Sequence, residues 1–232
     1  MTVLRILGID TSGKVASVAI TDDEKLICEQ VLYTKLTHSQ VILPMVKKAL
    51  SESSLTFDDI DSIAVANGPG SYTGLRIGIA AVKGICLGKP KISCAGVSTL
   101  ESLAYNCVPF CGRIISVMKA RPGIIYAGEF ISNGSTITRL SDDKVCPETD
   151  VFADVDTSEK IMLVGDYALD IKQKYFADDL NVICANTAHR LQRASSLCMA
   201  LSVHPEYITE PEKLEVAYLQ ATKAEKDKAH QN

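Results

Sequence analysis

The sequence predicts an internally duplicated α/β protein of two subdomains. Two observations carry the prediction. Short apolar and β-branched runs bounded by turn residues open the chain at 4–10, 15–21 and 26–32, and the same kind of opening recurs at 113–118, 124–131 and 136–140. Each opening is followed by helix-length segments alternating with short apolar strands. The length, 232 residues with 47% apolar, allows two units of roughly 100 residues each with a sizeable core.

Taken in order, 4–10 reads as a buried strand, Thr11-Ser12-Gly13-Lys14 as a turn, and 15–21 and 26–32 as the rest of an antiparallel meander. Residues 37–50 read as a helix capped by Thr37 or Ser39, which Pro44 either kinks or starts. A strand at 60–66 follows the acidic Asp58, Asp59 and Asp61. Then come a Gly/Pro loop, an apolar helix at 73–87, a strand at 91–94 and a helix at 98–105. In the second half, 120–123 turns between the first two strands, 161–164 is a strand ending at Gly165-Asp166, 167–175 a helix, 182–184 a strand and 187–201 a helix. The charged tail at 221–232 reads as a helix end. The subdomains divide as 1–105, carrying a partner interface, and 106–232, whose last helix packs back on the first. Such a duplication is the ribonuclease H-like architecture of actin, Hsp70 and the sugar and acetate kinases.

Composition narrows the function. The net charge is −4 and the pI about 5.6. A stand-alone RNA binder carries a basic surplus, so any RNA contact is expected to depend on a partner. The apolar run at 3–9 is broken by Arg5, unlike a secretory core, and the run at 77–82 stops at Lys83. Neither approaches the roughly 20 residues that span a bilayer. A cytoplasmic location is expected, with no membrane contact. The eight cysteines form no CxxC pair, and Cys107 and Cys111 have no second close pair to complete a metal site, so all read as small buried hydrophobes.

Two segments bear on ligand chemistry. Asp10-Thr11-Ser12-Gly13 reads first as a tight turn capping its own backbone; its small residues and open amides also suit a phosphate, which makes Asp10, Thr11 and Ser12 the weaker, nucleotide-binding alternative. The second half offers Lys119 at the matching place, which cannot hold magnesium. Gly68-Pro69-Gly70-Ser71-Tyr72-Thr73-Gly74-Leu75-Arg76 follows a strand and opens a helix, where glycine loops bind phosphate, but it is neither a P-loop nor a dinucleotide fingerprint. It is either a phosphate loop or a structural loop with Thr73 as N-cap. His38, His189, His204 and His230 include no metal-binding pair, and His38 reads as a cap or surface residue. No nucleophile motif is present.

The helices at 37–50 and 73–87 are apolar around more than one stripe, and Gly74, Gly78, Gly84 and Gly88 interrupt the second. Each interior glycine costs about 1 kcal/mol against alanine. Either both helices are sandwiched within the chain, or a partner covers the surplus. The second reading places Val41, Met45, Val46, Leu50, Gly74, Leu75, Gly78, Ile79 and Val82 at the partner interface. It expects Gly78→Leu or Val46→Asp to leave the monomer folded while weakening association.

Specific segments resemble one family. They are Ile6 to Ser12 with Ser17-Val18-Ala19, His38-Ser39-Gln40 with Leu43-Pro44, Ile63-Ala64-Val65 through Gly68 to Gly78 with Ala81, Lys83 and Gly84, Val97 to Ala104, and Tyr218-Leu219 with Ala224-Glu225. Together they resemble TsaB (YeaZ), closely over residues 1 to about 105 and in patches beyond. The Gly68–Arg76 signature is shared with the catalytic paralogue TsaD, whose paired-histidine metal motif this chain lacks. The resemblance implies a non-catalytic scaffold that pairs with a TsaD-like subunit and helps recruit a TsaE-like ATPase. That complex transfers threonylcarbamoyl to the tRNA adenosine beside the anticodon. It further implies ATP and metal on the partners rather than on this chain alone, tRNA contact only through the complex, and a homodimer through the same two helices when alone. Lys119-Ala120-Arg121, Pro122 and Gln220 depart from the family pattern. Two rivals remain: an ATP-dependent small-molecule kinase or ATPase of the same superfold, and a metalloprotease, against which the unpaired histidines count.

Overall fold

The computed structural model describes residues 4–23 and 25–219. Strands β1 (Arg5–Asp10), β2 (Val15–Asp22) and β3 (Lys25–Tyr33) form an antiparallel meander. β4 (Ser62–Gly68) and β5 (Ser93–Ser98) add in parallel on the other side of β1, giving the order β3-β2-β1-β4-β5. The second half repeats this with β6 (Cys111–Arg121), β7 (Ile124–Asn133) and β8 (Ile137–Arg139). β9 (Lys144–Pro147) also pairs with β7, and β10 (Ile161–Val164) and β11 (Val182–Cys184) run parallel to β6. The order β8-β7-β6-β10-β11 matches the first sheet, which is the duplicated ribonuclease H-like architecture.

Helices α1 (His38–Glu52) and α2 (Tyr72–Gly88) cover the outer face of the first sheet, and α4 (Thr149–Phe152) and α5 (Ala168–Tyr175) that of the second. Helices α3 (Thr99–Tyr105) and α6 (Ala194–Val203) lie between the sheets. Strand periodicity sorts the residues: Leu7 and Ile9 face α1 and α2, while Ile6 faces the middle layer. The halves exchange helices, since α3 packs on β6 and β7 while α6 packs on β1 and β2. The exchange needs Gly8, where a Cβ would overlap the Ala194 carbonyl and sit 2.9 Å from Cys198 Sγ. The buried Glu29 carboxylate fixes the start of α6. It accepts from the Ser195 amide at 3.1 Å and hydroxyl at 2.6 Å, and pairs with Arg193. A two-residue strand, β12 (Ile208–Thr209), pairs antiparallel with β5, so the end of the described chain returns to the first sheet.

Some elements differ from the sequence reading. The last helix starts at Ala194 instead of near 187, because Asn186 turns its side chain onto the amides of Ala188 and His189, at 3.0 and 3.1 Å. β9, α4 and β12 are short and carry no sequence period. α1 continues through Pro44, which is exposed and lacks the amide that would reach the Gln40 carbonyl. Thr37, not Ser39, caps it, its amide donating to Gln40 Oε1 at 3.0 Å. Cys111 is exposed rather than buried. No described helix is long and apolar enough to cross a membrane. The helix expected at 221–232, together with Gln220, Ala224-Glu225 and His230, lies outside the described residues.

Candidate functional site

Asp10, Thr11 and Ser12 are fully buried. The Ser12 amide and hydroxyl both donate to Asp10 Oδ1, at 2.8 and 2.6 Å. Thr11 Oγ1 donates to the Gly74 carbonyl at 2.7 Å, and the Ser71 amide donates to the Ser12 carbonyl at 2.7 Å. The buried Gln192 carboxamide occupies the space beside Gly13, so that a Cβ there would lie 2.6 Å from its Cδ. Burial holds the Asp10 carboxyl above the usual carboxylate range, and its Oδ2 has no hydrogen-bond partner among the described residues. Of the turn, Asp10, Thr11 and Ser12 are enclosed while Gly13 is half-buried and Lys14 exposed.

The glycine loop closes that turn. A Cβ at Gly74 would overlap the Thr11 carbonyl oxygen, and one at Gly78 would sit 2.5 Å from Thr11 Oγ1 and 3.3 Å from Val65 Cγ2. These glycines let α2 rest directly on the first turn, so of the two readings the structural one fits this geometry. The N-cap is Ser71, which accepts from the Gly74 amide at 3.2 Å; Thr73 is exposed. His38 Nε2 lies 3.0 Å from the Gly13 carbonyl oxygen, tying α1 to the same turn. Across the gap, the Lys119 amide donates to Asp166 Oδ1 at 3.1 Å, its ammonium lies 5.3 Å from the Tyr167 ring, and Lys14 reaches Asp166 Oδ2 at 3.7 Å. Among the described residues no three His, Cys, Asp or Glu side chains group as a metal site.

The nine residues expected at a partner interface are placed differently. Val41, Met45, Val46, Leu50, Gly74, Leu75, Gly78, Ile79 and Val82 are all buried in the chain's own structure. The physical reason is the sheet: its outer face presents Leu7, Ile9, Val18, Ile20, Ile63 and Val65, and both helices must cover it. Gly74 and Gly78 admit this chain's own Thr11, not a foreign backbone. Gly78→Leu and Val46→Asp would therefore strike the core.

What faces outward is a second stripe. On α2, Ala80, Gly84, Leu87 and Gly88 are exposed and Ile77 and Ala81 half-buried; a Cβ at Gly84 or Gly88 would have nothing within 4 Å. On α1, Leu43, Pro44, Lys47 and Lys48 are exposed. At the start of α2, the Tyr72 and Tyr218 rings stack at 5.3 Å, and the Arg76 guanidinium lies 4.0 Å from the Tyr72 centroid while its Nε donates to the Tyr218 hydroxyl at 2.9 Å. Tyr218 arrives there because the segment after β12 runs back along α2. Lys83 Nζ donates to the Glu212 carbonyl at 3.2 Å, Leu214 is buried, and the Ala217 amide donates to the Asn67 carbonyl at 2.8 Å. Sequence reasoning noticed Tyr218 only as part of a closing motif; nothing local tied it to Arg76.

Comparison with known proteins places this arrangement in a family. The model described as "TsaD: tRNA N6-adenosine threonylcarbamoyltransferase" matches residues 32–225, most of the chain. The tRNA threonylcarbamoyladenosine biosynthesis protein TsaB of Bacillus subtilis is 34% identical over 141 residues, 61% of each chain. Its Escherichia coli counterpart is 38% identical over 129 residues, 55% of each chain. The match thus spans little more than half the length of these relatives. A Pseudomonas aeruginosa crystal structure, of an uncharacterized protein with similarity to peptidase YEAZ, superposes with a TM-score of 0.81 at 22% identity, covering 94% of this chain and 100% of that one, and shows the same fold. A glycine loop closed over its own turn, a duplicated fold and these relatives agree: the chain belongs to the TsaD family, within its TsaB (YeaZ) branch.

Proposed function

We propose that this chain is a non-catalytic subunit in tRNA threonylcarbamoyladenosine biosynthesis, docking through the outer face of α1 and α2 onto a TsaD-like catalytic paralogue. In this reading the complex moves the threonylcarbamoyl group to the tRNA adenosine beside the anticodon, and the subunit helps recruit a TsaE-like ATPase. The observation that carries it is the outer stripe of α2, where Gly84 and Gly88 stand in open space on an apolar helix. Gly84, interior to α2, costs helix stability and gives nothing to the monomer, whereas it allows another helix to come close; Gly88 extends the same small surface to the helix end. ATP and metal belong to the partners, a division that the enclosed Asp10 turn supports. The net charge of −4 suits tRNA contact through the complex rather than by this chain alone. Without a partner the same face would pair two copies of the chain. The rival kinase reading needs an open phosphate turn, and the burial of Asp10, Thr11 and Ser12 counts against it.

The test is co-elution of the purified chain with the catalytic paralogue on size exclusion, with light scattering for mass. A defined heterocomplex is expected, and Leu43→Glu should abolish it while leaving the melting temperature within a few degrees. Separate elution of the wild-type proteins at high concentration would refute the reading.

A further inference from the structure

We infer that Arg76 is the polar anchor of the docking face and that it receives a carboxylate from the bound protein. The inference rests on the docking reading above and names the chemistry it requires of the partner. Arg76 lies on the exposed side of α2, one turn before Ala80 and two before Gly84. It is restrained on two sides. The Tyr72 ring lies 4.0 Å beneath the guanidinium, and the Tyr218 hydroxyl takes its Nε–H at 2.9 Å. Tyr218 is fixed in turn by its stack on Tyr72 and by the neighbouring Ala217–Asn67 hydrogen bond. The rotamer freedom an arginine normally loses on binding is therefore restricted before any partner arrives.

The restraint uses Nε and one face of the ion, and leaves the terminal nitrogens. Elsewhere in the molecule a positioned arginine holds an acid: Arg5 holds Asp22, Arg113 holds Glu129, Arg139 holds Asp143 and Glu101, and Arg193 holds Glu29. Among the described residues Arg76 has no carboxylate within ion-pair distance, as Arg121 and Arg190 have none, but Arg76 is restrained by a ring and a hydroxyl. A planar fork of this kind matches a carboxylate with two parallel hydrogen bonds. Arginine and tyrosine packed together are also the residue types that dominate binding energy at interfaces. A phosphate would satisfy the same fork, but the acidic balance of the chain favours a protein side chain over RNA.

The experiment measures affinity of the full chain for the catalytic paralogue by calorimetry at several salt concentrations, with melting curves of each variant as the folding control. Arg76→Glu is expected to weaken binding about a hundredfold or more and Arg76→Lys roughly tenfold. Tyr218→Phe keeps the ring stack, removes the acceptor that aims the guanidinium, and should weaken binding severalfold. All three should retain the wild-type melting temperature within a few degrees, and the salt dependence should flatten in the Arg76 variants. Wild-type affinity and an unchanged salt slope in Arg76→Glu and Arg76→Lys would overturn the inference while leaving docking intact. Loss of direct tRNA binding in Arg76→Glu, with paralogue affinity unchanged, would overturn it in favour of phosphate. Failure of the wild-type chain to bind the paralogue would remove the docking reading and this inference together.

Discussion

The two ends of α2 carry the same pattern, a pair of glycines four residues apart, in different surroundings. At the first end, Gly74 and Gly78 lie against Thr11, and any side chain there would overlap the turn after β1. At the far end, Gly84 and Gly88 meet nothing within 4 Å. The first pair is explained by close packing inside the molecule; of the second, Gly88 ends the helix and Gly84 is explained by nothing inside it. Spacing alone says that a backbone or side chain can come near; only the position of the sheet says whose it is. The comparison separates residues whose mutation should cost folding from residues whose mutation should cost association.

Breaking the inner end should have the largest effect. Gly74→Ala and Gly78→Leu drive atoms into Thr11 and Val65, and each is expected to lower the unfolding free energy by about 3 kcal/mol or more. Urea denaturation reads this directly. Val46→Asp puts an unpaired carboxylate at a fully buried position and belongs in the same class, with loss of the cooperative transition as its signature.

The closed turn offers an intermediate test. Burial raises the folded-state pKa of Asp10 above its unfolded value, so its contribution to stability is fully present below the unfolded pKa and is lost as pH rises through the folded one. Asp10→Asn keeps an oxygen for Ser12 and cannot ionise. It should melt higher than wild type at neutral pH, and the gap should narrow as pH falls toward the ordinary carboxylate range. A gap that stays constant across that range would mean that burial does not raise the Asp10 pKa. The smallest effect is at the outer end: Gly84→Ala relieves a helix glycine without a clash and should raise stability by about 1 kcal/mol, seen as a modest rise in melting temperature.

Much of the fold was legible because its signals are local and periodic. The meanders, α1, α2 and the duplication follow from apolar runs and turn residues, and the alternation of Ile6 with Leu7 and Ile9 is the pattern of a strand covered on both faces. The shortest elements were not legible, since the four residues of β9 and the two of β12 are too few to show a period. The start of α6 was misplaced because the local Asn186 turn was read as helix and the Glu29 cap acts across the fold. The candidate site was half legible. The two helices were found from their excess apolar surface, but the inward stripe was mistaken for the outward one, because hydrophobicity marks burial without saying what does the burying. Val41, Val46 and Val82 share one side of these helices, and the sheet covers that side. The face left over mixes small residues, Ala80, Gly84 and Pro44, with the isolated Leu43 and Leu87, and so carries a weaker sequence signal than the inward stripe. The contact between Arg76 and Tyr218 joins distant parts of the chain and could not be read from either motif alone.

The most direct measurement is a matched pair of leucine substitutions on α2, each scored for thermal unfolding and for complex formation with the catalytic paralogue. Gly84→Leu should melt at or slightly above the wild type and fail to form the complex, while Gly78→Leu should lose the folded monomer itself. A Gly84→Leu chain that is fully folded and still co-elutes at wild-type affinity would contradict the assignment of this outer face as the docking surface.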